Sequence, residues 1–349
     1  DILYVGGSGP GNYSKIQDAA DNASAGDTVF VYSGTYYECI NVTKTLRLLG
    51  ENENTTIVNS TVFDNVSFFI LPGADDVTIS RFTVINDHIN GYSQAFFLAS
   101  NNNTITHNII INRGDINIGN DNGITSNGNI ISNNTISAWA DGITLSESTQ
   151  NIIENNYISN NDSGAICLDH SNNNTVTSNI LSKNLLGISL FSSSFNSITN
   201  NTISESEDTG LFIENGAYNN ISHNTITKNG DEGGVSIYES THNQIFRNQI
   251  DDNSNFGVLL EDCTKNKVFE NNLVKNKING RWINDPSELL ALWHNTWTDN
   301  YWGKPHSLPK PILGFTYLGW FGYYVPLAIP YFQFDWSPAQ TPFEISTNQ

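Results

Sequence analysis

Apolar and polar positions along the chain follow one repeated phrase, Asn-x-(Ile/Val)-x-x-Asn-x-(Ile/Leu), between residues 103 and 273. Its first asparagine recurs at steps of 26, 22, 23, 22, 23, 24 and 23 residues. A fixed period of this length predicts a solenoid, in which each coil stacks only on its neighbours. The first asparagines of the phrases are Asn103, Asn129, Asn151, Asn174, Asn196, Asn219, Asn243 and Asn266.

Within each phrase the spacing predicts two short strands and a corner. Residues two apart in a strand share a face, so Asn103 points the same way as Ile105, and Asn108 the same way as Ile110. The three-residue step between Ile105 and Asn108 breaks this alternation. The chain must therefore turn a corner between the two strands.

Two further columns add a third side to each coil. In one column a glycine is followed by apolar residues one and three positions later, as at Gly142, Gly187, Gly210, Gly234 and Gly257. The other column holds small residues three positions before the first asparagine: Ser100, Ser126, Ser148, Ser171, Ser193, Gly216, Ser240 and Cys263. Short strands, sharp corners and columns in register predict an all-β, parallel β-helix. Parallel crossovers are almost always right-handed, so we expect a right-handed helix.

The stacked asparagines have a physical role in such a coil. A buried amide is costly unless it is hydrogen-bonded, but an asparagine above another can donate and accept along the axis. Isoleucine columns supply the core, at roughly 1.5–3 kcal/mol per buried side chain. A disordered polar tract is the alternative for so many asparagines, and apolar residues in fixed columns argue against it.

The N-terminal segment predicts a cap. Ser14 and Gln17 have capping-box spacing, and Ile16, Ala19, Ala20 and Ala23 then follow helical spacing. We expect one amphipathic helix within residues 10–26, covering the first coil as solenoid ends require. Strand-like runs follow at 28–32, 36–42 and 45–49. Residues 77–84 repeat the phase of the ladder with Val77 and Phe82 in place of asparagines.

The period continues to Ile283 and then fails. We expect a β-helix over residues 1–285 and a C-terminal cap and aromatic tail over 286–349, with a short covering helix at 286–292. Residues 312–334 carry no charge, but their prolines, glycines and aromatics disfavour a transmembrane helix, so no membrane span is expected. The tail either lies along the last coils or contacts another copy of the chain. The candidates for self-association are Trp320, Phe321, Tyr323, Tyr324, Tyr331 and Phe332.

Three segments resemble the NosD-like, pectin-lyase-like β-helix proteins: residues 13–20, 26–37 and 48–52. The later asparagine-rich coils resemble the repeats of archaeal surface members of that group. Asn300-Tyr-Trp-Gly303 is similar to a motif that often closes the archaeal members. The resemblance implies the right-handed parallel β-helix fold. It leaves function open, because relatives include polysaccharide lyases, hydrolases, epimerases, carbohydrate-binding modules and envelope proteins.

Composition narrows the partners and the location. A net charge of −20 with 15 Lys and Arg excludes nucleic acid as a natural partner. The chain contains no methionine and begins at Asp1, from which we expect an extracellular mature chain whose signal peptide has been removed. Sequons are abundant, although an Asn- and Thr-rich solenoid also produces them by chance. The candidate glycosylation sites are Asn12, Asn22, Asn41, Asn54, Asn59, Asn65, Asn102, Asn133, Asn161, Asn173, Asn200 and Asn220.

Cysteine and histidine positions predict neither a disulfide nor a copper site. We expect Cys167 to face inward as a small core residue, and Cys263 lies in the serine column, about four coils or ~19 Å away. Cys39 lies in the N-terminal part. The seven histidines share no column, and His107 and His223 occupy equivalent corners too far apart to share a metal. They are His88, His107, His170, His223, His242, His294 and His306.

One acidic column offers the strongest candidate chemistry. We expect Glu147, Asp169, Glu239 and Asp262 to share a column five residues after the glycine of each coil, with Glu214 and Glu261 beside it. Stacked carboxylates are either a solvated corner or a weak Ca²⁺ site, and no other cofactor is expected.

Asp169 with His170 is the best acid–base pair, although adjacent strand residues face opposite ways. The Gly-His-Gly, Arg-x-Lys and Asp-Pro-His motifs that the resemblance suggests for enzymes are absent from the sequence.

The sequence therefore favours a secreted, non-catalytic structural protein of the cell surface, glycosylated and assembling with copies of itself into a filament or layer. A polysaccharide lyase, hydrolase or epimerase that uses the acidic column is the alternative from the enzyme class. A carbohydrate-binding module, with cell-surface polysaccharide as partner, is the third. It needs stacked exposed aromatics, and the aromatics of the repeats form no obvious platform: Trp139, Tyr157, Phe191, Phe246 and Phe269.

Overall fold

The computed structural model describes residues 1–61, 66–86, 94–112, 114–120, 123–284, 294–320 and 323–345, of which 316–320, 323–329 and 331 are described by their backbone alone. These residues form two compact units, Asp1–Ile180 and Leu181–Gln349. Each unit is a run of parallel β-helix, as the repeat predicts.

The first unit contains one short helix and many short strands. In chain order they are β1 (Ile2–Val5), α1 (Ile16–Asn22), β2 (Thr28–Val31), β3 (Gly34–Tyr36), β4 (Ile40–Val42), β5 (Arg47–Gly50), β6 (Thr56–Asn59), β7 (Phe68–Ile70), β8 (Thr78–Ser80), β9 (Thr83–Asn86), β10 (Gln94–Leu98), β11 (Thr104–Thr106), β12 (Ile109–Asn112), β13 (Asp115–Ile118), β14 (Ile130–Ser132), β15 (Thr135–Ala138), β16 (Ile143–Ser146), β17 (Ile152–Glu154), β18 (Tyr157–Ser159), β19 (Gly164–Asp169) and β20 (Thr175–Thr177).

The second unit follows strand β21, which lies across the boundary at Ile180–Ser182. Its strands are β22 (Leu186–Phe191), β23 (Ser197–Thr199), β24 (Thr202–Ser204), β25 (Thr209–Glu214), β26 (Asn220–Ser222), β27 (Thr225–Thr227), β28 (Gly233–Tyr238), β29 (Gln244–Phe246), β30 (Gln249–Asp251), β31 (Phe256–Glu261), β32 (Lys267–Phe269), β33 (Asn272–Val274), β34 (Ile278–Asn284), β35 (Thr296–Thr298), β36 (Lys310–Trp320) and β37 (Tyr323–Asp335).

Strands of successive coils pair in parallel and in register. In the first unit Ile105 pairs with Ile131, which pairs in turn with Ile153. All three isoleucines are fully buried. The glycine-led third strand repeats in the same way in the second unit, where Leu211 pairs with Val235. The predicted columns of apolar residues are therefore confirmed as the core.

The corners are formed by residues with left-handed backbone. In one coil of the second unit Asn215, Tyr218, His223 and Lys228 have φ of 53°, 57°, 57° and 58°. A left-handed residue other than glycine is strained by roughly 1–2 kcal/mol. The residue after each of them points inward and is small or an asparagine, so hydrogen bonding of the inward asparagines offsets that strain.

The asparagine ladders provide these hydrogen bonds. Asn219 is buried, and both its backbone N–H and its side-chain amide donate to Oδ1 of Asn243, at 2.9 and 3.0 Å. The same amide group also donates to the carbonyl of Ser193 at 2.9 Å. The expectation of inward, mutually bonded asparagines is confirmed.

The chain also has a third ladder, which the repeat phrase did not predict. In the second unit the amide of Asn229 donates to Asn253, and that of Asn253 donates to Asn276, at 3.0 and 2.8 Å. In the first unit Asn161 is the corresponding buried residue, and its Oδ1 accepts from the backbone N–H of Ala138. Each of these residues follows the second asparagine of its coil by five positions. The signal was therefore present in the sequence.

The N-terminal helix is shorter than the predicted cap and begins differently. Ile16, Ala19 and Ala20 are buried, as its apolar spacing predicts. The predicted capping box is wrong, because the N-cap is Lys15, which makes no side-chain capping bond. The Glu38 carboxylate instead accepts from the backbone N–H groups of Ile16 and Gln17, at 2.8 and 3.0 Å. A carboxylate from the connection between β3 and β4 thus neutralises the positive helix end.

The C-terminal segment forms an antiparallel hairpin rather than an extended tail. β36 pairs with β37 from Lys310 opposite Asp335 to Trp320 opposite Tyr323. β36 continues the coil by pairing in parallel with β34, where Gly314 lies beside Trp282. The predicted helix at 286–292 falls outside the described residues. Among the residues that are described, no helix has the length and apolar character needed to span a membrane.

Candidate functional site

The predicted acidic column is divided between two positions. In the first unit Glu147 and His170 have left-handed backbone and occupy the same corner, whereas Asp169 pairs with Ser146 one position earlier. The placement of Asp169 in the column is therefore wrong. The register of β16 and β19 places Ala165, and not Gly164, beside Gly142.

The same register also places Cys167 on a different face from the predicted one. It pairs with Thr144 and alternates with buried Ile166 and Leu168, so its side chain faces outward and is half-buried. The expectation that it fills the core is wrong. Cys263 is buried in the serine column as predicted, and its Sγ lies 3.3 Å from the carbonyl oxygen of Ile237. Burial raises the pKa of the Cys39 thiol to about 11, with a further contribution from Glu38.

Asp169 and His170 do come together, against the argument from strand alternation. His170 Nδ1 lies 2.8 Å from Asp169 Oδ1, because the left-handed backbone of His170 ends the alternation of β19. The two side chains are 37% and 63% exposed. The pair can exchange a proton, but it stands in water on an open corner.

In the second unit the acidic groups meet around Tyr238. Glu239 and Asp262 occupy the left-handed corner, and Glu261 pairs with Tyr238 in the adjoining strand position. The Tyr238 hydroxyl donates to Glu232 at 3.1 Å. Burial raises the pKa of both Glu232 and Glu261, and neighbouring carboxylates raise each further. Among the described residues, no group of three or more His, Cys, Asp or Glu side chains has the arrangement of a metal site.

The most perturbed carboxyl in the described chain is Asp115, which the sequence did not single out. It begins β13 in the first unit, and its Oδ1 is buried without a hydrogen-bond partner in the described structure. Burial, and after it the nearby carboxylate of Asp141, raises the pKa of Asp115 to about 8. Asp141 itself accepts from Ser163 and from the backbone of Gly164, at 2.6 and 2.8 Å. Two acids in contrasting surroundings are typical of functional sites, and also of strained packing.

Outward aromatics form stacks that the sequence did not predict. Phe195 stacks on Tyr218 with ring centroids 5.0 Å apart, and Tyr218 stacks on His242 at 4.6 Å. Phe246 stacks on Phe269 at 4.8 Å. These spacings match the distance between coils, so one ring covers the face of the next. Such stacks stabilise neighbouring coils.

The sequons occupy positions of three kinds. Asn102, Asn133 and Asn173 are exposed at left-handed corners, and Asn200 has the same backbone conformation but is half-buried. Asn161 does not offer an accessible amide, because it is buried in the third ladder. Asn65 falls outside the described residues. The other exposed candidates are Asn22, Asn41 and Asn54, and the half-buried candidates are Asn12, Asn59, Asn200 and Asn220.

Of the self-association candidates, Phe332 is described and is 48% exposed. Trp320, Tyr323, Tyr324 and Tyr331 lie in the hairpin and are described by their backbone alone, and Phe321 lies outside the described residues.

Two family models match the chain. Residues 47–195 match "Right handed beta helix region", and residues 163–307 match "Periplasmic copper-binding protein (NosD)". No curated protein matches it. The chain contains no methionine, and its described residues contain no group of three or more His, Cys, Asp or Glu side chains that could hold a metal ion.

Solved structures with the same fold include proteins of the cell surface and of polysaccharide chemistry. The mannuronan C-5 epimerase AlgE6 A-module of Azotobacter vinelandii has a TM-score of 0.70 at 14% identity, covering 94% of each chain. The Dettilon tailspike protein has a TM-score of 0.65 at 12% identity, covering 81% of this chain and 65% of the tailspike. PfbA, a surface adhesin of Streptococcus pneumoniae, has 0.56 at 12% identity, covering 93% and 95%. At these identities the likeness shows the fold alone.

Proposed function

We propose that this chain, a NosD-like right-handed β-helix protein, is a non-catalytic structural protein of the cell surface or extracellular space that assembles with copies of itself. The observation that carries the proposal is the outer part of the C-terminal hairpin. We call residues 317–328, with the described strands 317–320 and 323–328, the arm.

Among the described strands, no strand of the coils pairs with either edge of the arm. Among the described strands, β36 pairs with the coils only through Gly314, Phe315 and Thr316, and β37 only through Asp335. Beyond these residues the two strands pair only with each other, from Tyr317 opposite Ala328. An isolated two-stranded ribbon is marginally stable in water, and open edges bind further strands. A second copy supplies strands of the same length and composition.

Charge supports the same partner. The chain carries a net charge of −20, so two copies repel each other over most of their surfaces. Residues 312–334 carry no charge at all. The uncharged arm is therefore a place where two copies meet without like-charge repulsion.

The surroundings of the acid–base candidates support a role without catalysis. Asp169 and His170 stand exposed on a corner, whereas proton transfer to a substrate needs a site that positions the substrate and excludes water. The buried asparagines of the coils use their amides within the ladders. We assign the coils the role of a rigid support.

Light scattering coupled to size exclusion tests the assembly. The double variant Tyr317→Lys/Ala328→Glu places opposite charges on directly paired positions, which keeps the hairpin paired while charging the arm. We expect the wild-type chain to form oligomers whose mass rises with concentration, and the double variant to remain a monomer. The control is Leu308→Lys, which charges a residue that is 75% exposed outside the arm and leaves assembly unchanged.

A wild-type chain that stays monomeric at all concentrations contradicts self-assembly. Monomers that co-sediment with neutral phospholipid vesicles through the arm also contradict it, because the uncharged segment then meets lipid rather than a second copy. Electron microscopy of the wild-type oligomers distinguishes a filament from a layer.

We further propose that the exposed corner sequons carry glycans when the protein is made by its natural source. Intact-glycopeptide mass spectrometry of that material is expected to find sugar on Asn102, Asn133 or Asn173 and none on buried Asn161. Peptides covering all four residues without any glycan contradict this part of the proposal.

A further inference from the structure

An open cleft lies beside the last coil of the second unit, separate from the arm. It has a volume of about 440 Å³. We call it the aromatic cleft. It is lined by His294, Asn295, Thr296, Trp297, Phe332, Gln333, Phe334 and Trp336.

One wall of the aromatic cleft is a row of exposed rings. Phe332 and Phe334 in β37, and Trp336 just after its end, occupy alternate positions and are 48%, 37% and 73% exposed. Their ring centroids are 6.5 and 5.2 Å apart, with 37° between successive planes. Unlike the coil-to-coil stacks, these rings are inclined to one another along one strand. Their faces therefore remain accessible.

The intervening residues fix the row against the last coil. Gln333 is 9% exposed, and its Oε1 accepts from the indole N–H of buried Trp297 at 2.9 Å. Gln333 lines the cleft, and that bond does not use its amide N–H groups, which remain donors. Asp335 is fully buried and accepts from the Asn300 backbone and from the Trp302 indole, at 2.9 and 3.0 Å. These donors compensate its charge away from the cleft.

The lining combines flat apolar faces with neutral polar groups. The described residues that line it include no Asp, Glu, Lys or Arg, while Gln333, Thr296 and His294 supply donors and acceptors. A purely apolar ligand would leave these polar groups without partners, which costs binding energy. An anionic ligand would be repelled by a chain of net charge −20. A neutral pyranose has C–H faces that pack on aromatic rings and hydroxyls at its edge, so it suits both parts of the lining.

We infer that the aromatic cleft binds a neutral polysaccharide chain, with successive sugar rings packed along Phe332, Phe334 and Trp336. This inference deepens the proposed surface role by naming the polymer class that the protein holds. It rests on the cleft and not on the arm. Sugar binding and self-assembly are measured separately, so either can fail while the other stands.

Isothermal titration with defined hexasaccharides tests the inference. The probes are cellohexaose, laminarihexaose and mannohexaose as neutral chains, with hexagalacturonate as the anionic one. We expect at least one neutral probe to bind and the anionic probe to bind none. Trp336→Ala removes an exposed ring and should weaken the binding by about tenfold, equivalent to about 1.4 kcal/mol.

Two further variants make the result specific. Gln333→Leu should weaken binding through the loss of a donor, and circular dichroism checks that this buried substitution leaves the fold intact. Trp139→Ala, at a tryptophan of the first unit that is 64% exposed, should leave the affinity unchanged. The inference is overturned if no neutral probe binds with a Kd below about 10 mM, which corresponds to a binding free energy of about 3 kcal/mol. It is also overturned if Trp139→Ala weakens binding as much as Trp336→Ala, or if only hexagalacturonate binds.

Discussion

Replacing Asn248 by alanine is expected to destabilise the second unit by about 3–5 kcal/mol. Asn248 is fully buried in the middle of a ladder. Its amide donates to the carbonyls of Ile221 and Phe246 and to Asn271 Oδ1, at 2.9, 3.1 and 3.0 Å. Its Oδ1 accepts two bonds from Asn224, at 2.9 and 3.0 Å. Alanine leaves several of these buried partners unsatisfied.

Urea unfolding followed by circular dichroism measures this loss. Asn248→Leu has a side chain of similar size and is expected to be as harmful as alanine, because the missing bonds rather than an empty space cause the loss. The matched control is Asn255→Ala in the same unit, which removes one exposed bond to the carbonyl of Asp231. A fully restored stability in Asn248→Leu, or an equal loss in Asn255→Ala, would show that the ladder bonds matter little.

The stability of the coils therefore depends on the asparagine ladders, two of which the repeated phrase predicts. The two predicted ladders have a nearly constant step, and their asparagines and isoleucines occupy the predicted faces. The third ladder obeys an equally simple rule, five residues after the second asparagine. The third ladder is harder to recognise in the sequence because Ser206 interrupts it. The number of residues between it and the next strand also varies from coil to coil. A column is easiest to see where every coil keeps the same residue.

The candidate sites were less predictable, because their properties come from neighbours in other coils. The stack of Phe195 and Tyr218 depends on the register between successive coils. The predicted position of Asp169 was wrong because the strand is in register with Gly142 through Ala165 and not through Gly164. The aromatic row of β37 had a local signal, since Phe332, Phe334 and Trp336 alternate with Gln333 and Asp335. The sequence did not predict that this row lies against the last coil.

Asp115 shows most clearly how the coil sets chemistry that a sequence cannot reveal. Its pKa is raised from 3.8 to about 8, first by burial and then by Asp141. Below the ordinary value the carboxyl is protonated in both the folded and the unfolded chain. Between the ordinary and the raised value the unfolded chain releases the proton while the folded chain keeps it. The stabilising contribution of this group is therefore present at low pH and is lost as the pH rises through about 8.

Asp115→Asn is expected to remove this pH dependence, because an amide stays neutral throughout. We expect the wild-type chain to lose on the order of a few kcal/mol between roughly pH 5 and pH 9 through this group, at about 1.4 kcal/mol per pKa unit. The variant should lose correspondingly less over the same range. Urea unfolding at several pH values measures the difference, and the comparison cancels the general repulsion of a chain with net charge −20.

Two carboxyl variants identify the cause of the effect. Asp141→Asn removes the neighbouring charge that raises the Asp115 pKa, so it should reduce the slope of stability against pH without abolishing it. Asp162→Asn removes an exposed charge of the same unit and should keep the wild-type slope. If Asp115→Asn keeps the wild-type slope as well, the Asp115 carboxyl is solvated in the folded chain, and its candidacy as a perturbed acid ends. If the slope of stability against pH vanishes only in Asp115→Asn, the Asp115 carboxyl is protonated in the folded chain at neutral pH. It can then donate a hydrogen bond to a neighbouring acceptor.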